Sequence, residues 1–502
     1  GAELSAVRRP AGAGTRGDRG RGPAGAGPAR RVAFEVLLAV CGRDAYANLL
    51  LAAALREHGL TGQDAALATE LVYGTLRNQS CYDAVIGLCA DRDVQRIDPP
   101  VLGALRLGTH QLLGMRVRAH AAVATAVDLA VEFAGRRPSG FVNAVLRRVA
   151  TRDLESWIGL AAPSRAEDLA GHLAVRYSHP RWIVTAFAAA LGEAREDLGD
   201  AGGDPGEAGQ NGAVPAGWPR TEAVLAADQR RPAVTIAAVP GLVKADDLIA
   251  EGAGLGAGAA RWSPFGMYLD HGDPGALPAV AGHRAGVQDE ASQLAALALA
   301  RAEVAGEEGT WLDLCAGPGG KARLLGGLAA QRGARLVAAD VHEHRARLVA
   351  GGLSVLPGAR ALAADGTRPA WRPAAFTRVL ADVPCSGLGS LRRRPEARWR
   401  RGPDDLAGLR HLQRGLLASA IEATRPGGVT GYVTCSPHLG ETREVLAEGL
   451  AGRDDVAVLD APGLLPEVPE LACPAPFERY AQFWPHPHGT DAIFVAVLRR
   501  LS

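Results

Sequence analysis

The chain has 502 residues, a hydrophobic fraction of 47% and a formal net charge of +1, which are ordinary values for a soluble globular protein. Its length suggests about two to four domains, and no apolar run is long enough to span a bilayer or to form a secretory signal. The seven cysteines have no regular spacing and form no CxxC pair, which argues against a disulfide framework and structural zinc. We therefore expect a cytoplasmic monomer with no metal and no membrane partner.

The first two regions of the chain differ in composition. Residues 1–28 contain mainly Gly, Ala, Pro and Arg, which predicts a disordered tail; its arginines could contact nucleic acid, although a solvated tail is the simpler interpretation. From residue 29 to residue 150 the apolar residues follow helical spacing, as at Val32 and Val36, and Pro99-Pro100 indicates a helix start. Nothing in this region is typical of a strand, so it is predicted to be an all-α bundle.

A mixed segment follows the bundle. Residues 151–221 are predicted to hold a linker helix and a low-complexity insertion, which is rich in Gly, Asp, Glu and Pro at 192–220. Residues 222–285 are predicted to form a small α/β subdomain, with a strand at 233–239 and a short helix at 246–251.

The last region, residues 286–502, alternates between strand-like and helical patterns. The strand-like runs lie at 310–314, 334–339, 359–364, 377–381, 429–433 and 493–498. Such alternation predicts an open, mostly parallel α/β sheet. Ligands of these sheets bind beyond the carboxyl ends of the strands.

Acidic residues follow four of these strands, and a glycine-rich turn follows the first. The acids are Asp313, Asp340, Asp365 and Asp382, and the turn GPGGKA at 317–322 fits the pattern GxGxxA. This pattern alone is compatible with both NAD and S-adenosylmethionine. A lysine and a proline inside the turn, and an acid after the third strand that suits an adenine amino group, favour S-adenosylmethionine.

Two cysteine segments, VPCSG at 383–387 and VTCSP at 433–437, end strand-like runs and could face the same ligand. Two thiols beside a nucleotide site indicate covalent chemistry. A free cysteine is more often a small buried apolar residue, which is our interpretation of the cysteines outside the α/β region and of Cys473.

Several segments together resemble the RNA cytosine-5 methyltransferases. They are DLCAGPGGK at 313–321, ALAADGTRP at 361–369, ADVPCSGLGSLRRRPEARW at 381–399 and YVTCSP at 432–437, with GVQDEASQ at 286–293 resembling the start of that family's catalytic domain. The helical region resembles the NusB-like RNA-binding domain through YGTLR at 73–77, RLGTH at 106–110, AVATAVDLA at 122–130 and GFVNAVLRR at 140–148. The combination resembles the bacterial small-subunit ribosomal RNA methyltransferases of the RsmB (Sun/Fmu) type.

The resemblance implies a multidomain fold and a cofactor site. It implies an all-α NusB-like domain at 29–150, a small RRM-like subdomain at 222–285 and a Rossmann-like S-adenosylmethionine-dependent domain at 286–502. Asp340 is expected to bind the ribose, Asp365 the adenine, and Asp382 both the cofactor and the cytosine N3 edge. The methionine portion is expected to lie against Cys315, Ala316, Gly317, Pro318, Gly319, Gly320 and Lys321. The family more often has CAAPGGKT here, so Gly317 and Ala322 are departures.

The resemblance also assigns roles to the two thiols. Carbon 5 of cytosine becomes nucleophilic enough to accept a methyl group only after a thiolate adds to carbon 6. In this family the Thr-Cys-Ser cysteine attacks, which makes Cys435 the expected nucleophile and Cys385 the group that assists breakdown of the adduct. DNA cytosine-5 methyltransferases use the Pro-Cys motif instead, so sequence chemistry alone leaves the assignment open.

The basic run that follows Cys385 is a candidate RNA contact. Its side chains could clamp phosphates and stack on a base, although a solvated loop is the usual alternative. The residues predicted to contact RNA are Arg392, Arg393, Arg394, Arg398 and Trp399.

We therefore expect an enzyme that methylates cytosine carbon 5 in RNA, in particular 16S ribosomal RNA rather than DNA, with transfer RNA remaining open. A non-catalytic RNA-binding factor with a vestigial α/β domain is the first alternative. An NAD-dependent oxidoreductase is the second.

Overall fold

The computed structural model describes residues 25–43, 45–194 and 217–502. The predicted disordered tail therefore falls almost wholly outside the described residues, as does most of the predicted insertion at 192–220.

A helical domain begins the described chain. Its helices are α1 (Pro28–Arg43), α2 (Ala47–Glu57), α3 (Gly62–Arg77), α4 (Gln79–Ala90), α5 (Pro99–Thr109), α6 (Ala119–Ala134) and α7 (Ser139–Val149). Side chains such as Phe34, Leu71 and Leu105 are buried in one shared core. The described residues up to 150 contain no strand, which confirms the predicted all-α bundle.

A layer of connecting helices links the helical domain to the rest of the protein. It contains α8 (Leu154–Ala161), α9 (Leu169–Arg176), α10 (Arg181–Ala190) and α11 (Pro219–Asp228). Phe187 of α10 and Leu225 of α11 pack in one cluster with Leu391 and Trp484 of the α/β region. Helix α11 thus spans the predicted boundary at residue 222 and packs in this layer.

A small four-stranded sheet follows. Its elements are β1 (Val234–Ala238), α12 (Ala245–Glu251), β2 (Gly258–Ala259), β3 (Gly266–Leu269), α13 (Pro278–Ala281) and β4 (Ala285–Val287). The strand order is β2-β3-β1-β4 and all pairs are antiparallel. The strand and the helix predicted at 233–239 and 246–251 are confirmed as β1 and α12.

The largest unit is an eight-stranded mixed sheet. Its elements are α14 (Glu290–Arg301), β5 (Thr310–Asp313), α15 (Gly320–Gln331), β6 (Arg335–Asp340), α16 (Glu343–Leu353), β7 (Ala359–Ala363), β8 (Phe376–Asp382), α17 (Leu406–Ala423), β9 (Thr424–Thr434), α18 (Arg443–Leu450), β10 (Val456–Val458), β11 (Ala481–Gln482), α19 (Pro485–His488) and β12 (Phe494–Arg500). The order is β10-β12-β9-β8-β5-β6-β7, with β11 paired to β12. All six predicted strands are present.

The direction of the strands identifies where a ligand can bind. Strands β7, β6, β5, β8 and β9 are parallel, and β12 is antiparallel to β9. Strand β8 is buried along nearly its whole length, as expected for a parallel strand covered on both faces. The chain passes from β5 outward to β7 and then returns to β8, on the other side of β5. The crevice at this reversal is the usual ligand position in such sheets.

Candidate active site

The carboxyl ends of the parallel strands carry the predicted acids. Asp313 ends β5, Asp340 ends β6 and Asp382 ends β8, while Asp365 lies two residues beyond β7. Asp313 is fully buried, and its carboxylate oxygens have no hydrogen-bond partner among the described residues. Burial, assisted by Asp382, raises the pKa of Asp313 to about 8, so this acid is predominantly protonated at neutral pH.

The glycine turn is shaped around Asp340. The Gly317 amide donates to Oδ2 of Asp340 (3.1 Å) and the His342 amide donates to Oδ1 (2.8 Å). A Cβ at position 317 would clash with Oδ2, and Gly319 has a φ of +104°, which L side chains rarely adopt. The departure from the family pattern at Gly317 therefore allows the carboxylate to approach the turn. Each oxygen of Asp340 keeps accepting capacity for a further hydroxyl.

A cavity of about 600 Å³ adjoins the turn. Of the predicted cofactor and catalytic residues, it is lined by Ala316, Gly317, Pro318, Gly320, Lys321, Asp382 and Cys435. A glycine turn at a helix start, an acid with free accepting capacity beside it and a polar cavity in front suit a nucleoside cofactor such as S-adenosylmethionine. Cys315, Gly319, Asp340, Asp365 and Cys385 do not line this cavity.

Cys385 and Cys435 are brought together by adjacent strands. Cys385 follows β8, Cys435 follows β9, and their Sγ atoms are 3.2 Å apart. The hydrogen bond from Cys385, joined by the charges of Lys321 and Arg394, lowers the pKa of Cys435 despite burial. The same bond and burial raise the pKa of Cys385 well above its ordinary value. The pair thus favours a thiolate at Cys435 and a thiol at Cys385.

Lys321 connects the glycine turn to the thiols. Its Nζ donates to Asp382 Oδ2 (2.9 Å) and lies 3.4 Å from the Ser292 hydroxyl. Burial alone would lower the pKa of Lys321, but Asp382 more than offsets this, so the pKa is raised and the ammonium stays charged. A fixed positive charge therefore lies beside the thiol that lines the cavity.

Glu441 is a site residue that sequence reasoning missed. Its carboxylate is fully buried and accepts from the Ser386 amide (2.7 Å), the Ser386 hydroxyl (2.5 Å) and the Ser436 hydroxyl (2.6 Å). Gln413 Nε2 donates to it as well (3.1 Å). One carboxylate therefore holds both serines that follow the two cysteines. No local signal marks this glutamate, because the segment LGET reads as an exposed loop.

The prediction that Arg398 binds RNA is wrong. The side chain is fully buried, and its guanidinium donates to the main-chain carbonyls of Arg77 (2.7 Å), Ser178 (3.0 Å) and Asp228 (3.1 Å). These carbonyls belong to the helical domain and the connecting layer, so Arg398 joins three parts of the chain. Its guanidinium has no surface left for a phosphate.

Arg392 and Arg393 are also engaged within the protein. Arg392 is 7% exposed and pairs with Asp491 (3.3 Å), while Arg393 bonds to Asp289 (2.8 Å) and Asp491 (3.1 Å). The predicted contact between Arg392 and an RNA phosphate therefore does not fit the structure, because this guanidinium is buried and its charge is neutralised by Asp491. Arg393 and Arg394 line the cavity, so RNA contact by these two stays a prediction.

Trp399 is 37% exposed and lies away from the thiols. It lines a second cavity, of about 670 Å³, against α1 and α5 of the helical domain. Its predicted RNA contact also stays a prediction.

None of the helices in 25–43, 45–194 and 217–502 is long and apolar enough to cross a membrane. In the same ranges no group of three or more His, Cys, Asp and Glu side chains is arranged to hold a metal ion.

Comparison with known proteins gives consistent matches over both main regions. The 16S rRNA methyltransferase RsmB/F family matches residues 300–499, and the NusB family matches residues 27–151. Rv1407 of Mycobacterium tuberculosis, a methyltransferase by name, is 51% identical over 95% of this chain and 97% of its own. Ribosomal RNA small subunit methyltransferase B of Pseudomonas putida is 31% identical over 86% of this chain and 91% of its own. The crystal structure of PH0851 has the same fold, with a TM-score of 0.72 and 20% identity over 94% of this chain and 98% of that chain.

Proposed function

Because the chain belongs to the RsmB/F family of 16S ribosomal RNA methyltransferases, we propose that it methylates carbon 5 of a cytosine in 16S ribosomal RNA. The methyl donor is S-adenosylmethionine, and the reaction passes through a covalent bond between the enzyme and the RNA. The N-terminal NusB-like domain helps to hold the RNA.

The observation that carries this proposal is the difference between the two thiols. Cys435 lines the cavity and has a lowered pKa, whereas Cys385 does not line the cavity and has a raised pKa. A thiolate is the reactive form of cysteine, so Cys435 is the better nucleophile. This geometry supports the family assignment and opposes the arrangement of the DNA enzymes.

The chain's own groups account for the covalent steps. The Cys435 thiolate forms a bond to carbon 6 of cytosine, and the electron pair displaced to carbon 5 makes that carbon nucleophilic. Bound S-adenosylmethionine supplies the methyl group to carbon 5. Removal of the carbon-5 proton then expels the Cys435 thiolate and restores the aromatic ring. Asp382, whose carboxylate accepts from Lys321 and lines the cavity, binds the N3 edge of the cytosine in this proposal.

Cys385 is suited to the second half of the reaction. The raised pKa of Cys385 arises first from its hydrogen bond to Cys435. Once the Cys435 sulfur is bonded to cytosine, that sulfur carries no negative charge, and ionisation of Cys385 becomes easier. Cys385 then releases its proton to water, and the resulting thiolate accepts the carbon-5 proton directly or through a water.

The glycine turn, the acid that ends β6 and the acid that follows β7 define the cofactor proposal. The turn 315–321 surrounds the methionine portion, Asp340 binds the ribose, and Asp365 binds the adenine. Asp365 is exposed in the loop after β7, where its Oδ1 accepts from the Thr367 amide (2.9 Å) and hydroxyl (2.7 Å). Its second oxygen is therefore the one available to an adenine amino group.

Bisulfite sequencing of total RNA tests the reaction and its target together. A strain that lacks the gene should lose 5-methylcytosine at one position of 16S ribosomal RNA, and the wild-type gene should restore it. A Cys435→Ser gene should not. Loss of a transfer RNA mark, with ribosomal RNA unchanged, would redirect the substrate assignment.

Calorimetric titration separates the two alternatives. Binding of S-adenosylmethionine and not of NAD is expected. Binding of NAD alone would support the oxidoreductase, and binding of neither would support a non-catalytic RNA-binding factor.

A further inference from the structure

The cavity that contains Cys435 continues to the helical domain. At this far end it is lined by Thr69, Glu70, Tyr73 and Arg77 of α3, together with Arg231 from the segment before β1. The wall of the active-site cavity is therefore built partly by the helical domain that is proposed to help hold the RNA.

Arg77 is an unusual member of this wall. The residue is 6% exposed, and its Nε is buried without a hydrogen-bond partner. Among the described residues no carboxylate lies within 4.0 Å of its guanidinium, which is placed over the Tyr73 ring at 5.6 Å. Burial lowers the pKa of Arg77, although a guanidinium remains charged at neutral pH. A buried charge is costly unless it is paired, so this arrangement favours an anion in the cavity.

The neighbouring charges do not supply that anion. Arg392 and Arg393 also line the cavity, but Asp289 and Asp491 neutralise them. Glu70 attracts the Arg77 charge but does not outweigh its burial, because Glu70 is exposed, lies more than 4.0 Å from the guanidinium and has its Oε1 facing His110 Nε2 at 3.6 Å.

The far end of the cavity thus carries more positive than negative charge. Arg394 and Arg231 are exposed there and have no carboxylate within 4.0 Å among the described residues.

We propose that Arg77 binds a phosphodiester of the substrate RNA next to the target cytosine. This inference rests on the proposed function, because it takes RNA as the anion that enters the cleft. A phosphodiester carries the charge and the two acceptor oxygens that match a guanidinium fork. The helical domain thereby fixes the strand that presents the cytosine to Cys435.

The test compares Arg77→Met and Arg77→Lys with wild type in binding to unmodified 16S ribosomal RNA made by transcription. Binding is measured over a series of KCl concentrations, with no methyl donor present. Arg335→Met is the matched control. Arg335 is exposed at the amino end of β6, whereas the cavity lies at the carboxyl ends of the parallel strands. Arg77→Met should weaken binding by roughly tenfold or more and reduce the log-log salt slope by about 0.7 to 0.9, the value for one phosphate contact. Arg77→Lys should keep most of the slope, and Arg335→Met should match wild type.

A second measurement distinguishes a lost phosphate contact from a folding defect of Arg77→Met and identifies the anion. An RNA oligonucleotide with one uncharged methylphosphonate linkage beside the mapped cytosine should bind wild type more weakly than the unmodified oligonucleotide does. Arg77→Met should bind the modified and the unmodified oligonucleotides with equal affinity. Wild-type slope and affinity in Arg77→Met, or full additivity of the two changes, would overturn the proposal. Binding is measured without methylation, so the test remains valid even if the proposed cytosine chemistry is wrong. Normal methylation by wild type together with an unchanged salt slope in Arg77→Met would overturn this inference and leave the proposed function in place.

Discussion

The loops that carry Cys385 and Cys435 are built alike but have opposite electrostatic character. Each follows one of two adjacent parallel strands, and each places a serine on the same Glu441 carboxylate. Yet one thiol lines the cavity beside Lys321 and has a lowered pKa, while the other does not line the cavity and has a raised pKa. The comparison teaches that the Cys-Ser motif supplies only a position, and that the hydrogen bond between the two thiols and access to the cavity decide the chemistry of each.

The largest expected effect is that of Cys435→Ser. Methyl transfer should fall by roughly 10⁴-fold or more, because a serine hydroxyl is scarcely ionised near neutral pH. No RNA adduct should survive denaturing electrophoresis after incubation with S-adenosylmethionine. Cys41→Ser, at an exposed cysteine of the helical domain, serves as the control and should behave as wild type.

Cys385→Ser should slow turnover by about 10²- to 10⁴-fold, the range of a lost general base. Cys435 can still attack, so the variant should accumulate an RNA adduct visible as a shifted band. A shifted band from Cys435→Ser and none from Cys385→Ser would exchange the two roles.

Arg398→Met tests a second difference between the two cysteine segments. The chain that follows Cys385 continues to a residue that joins the domains, and that residue is Arg398. Three buried carbonyls lose a charged donor, so the free energy of unfolding should fall by about 3 kcal/mol. Thermal or denaturant unfolding measures this, with the exposed Arg401→Met as control. Equal stability of the two variants would show that the interface does not depend on Arg398.

Glu441→Gln should affect both loops at once. The loss of the charged acceptor for two serines should lower the free energy of unfolding by about 1 to 3 kcal/mol. Single-turnover experiments should show slower adduct formation and slower adduct breakdown together. Glu444→Gln, which changes a carboxylate paired with Arg410, is the control. A defect in only one of the two steps would mean that Glu441 does not couple the loops.

Lys321→Met should have the smallest effect on the rate. It frees Asp382 and changes the cofactor turn, but at saturating S-adenosylmethionine its effect on the pH dependence should come through Cys435. Lys321 lowers the pKa of Cys435, so its removal should raise that pKa and move the rising limb of the pH–rate profile to higher pH. A shift of roughly one pH unit means about tenfold slower reaction on that limb, with recovery at high pH. The rate is measured at saturating S-adenosylmethionine in single turnover. Lys244→Met, at the other lysine of the chain, should leave the profile unchanged.

The sequence was sufficient for features that depend on local pattern. Apolar periodicity and proline placement predicted the bundle, and strand-like runs predicted six of the eight strands of the catalytic sheet, because buried strands are continuous apolar segments. The short strands β10 and β11 were not predicted. The acids after the strands were also correctly placed at one edge.

The features that escaped prediction depend on long-range contacts. Arg398 is separated from its acceptor Arg77 by 321 residues, and the run that contains it looks like a basic loop. Glu441 lies in a polar segment, and only tertiary packing makes it a buried acceptor. Likewise, nothing local indicates that Arg77 faces the catalytic cleft.

The contacts of Arg398 impose an uneven evolutionary constraint on the two sides of the domain interface. All three acceptors are main-chain carbonyls, at Arg77, Ser178 and Asp228. Carbonyls are offered by any residue that keeps the backbone in place, so these contacts place no demand on the acceptor side chains. The catalytic domain, in contrast, depends on one guanidinium that no other side chain reproduces. The side chains at these acceptor positions of the helical domain and the connecting layer can therefore change without loss of the contacts. A homologue in which Arg398 is replaced must stabilise the interface through other residues.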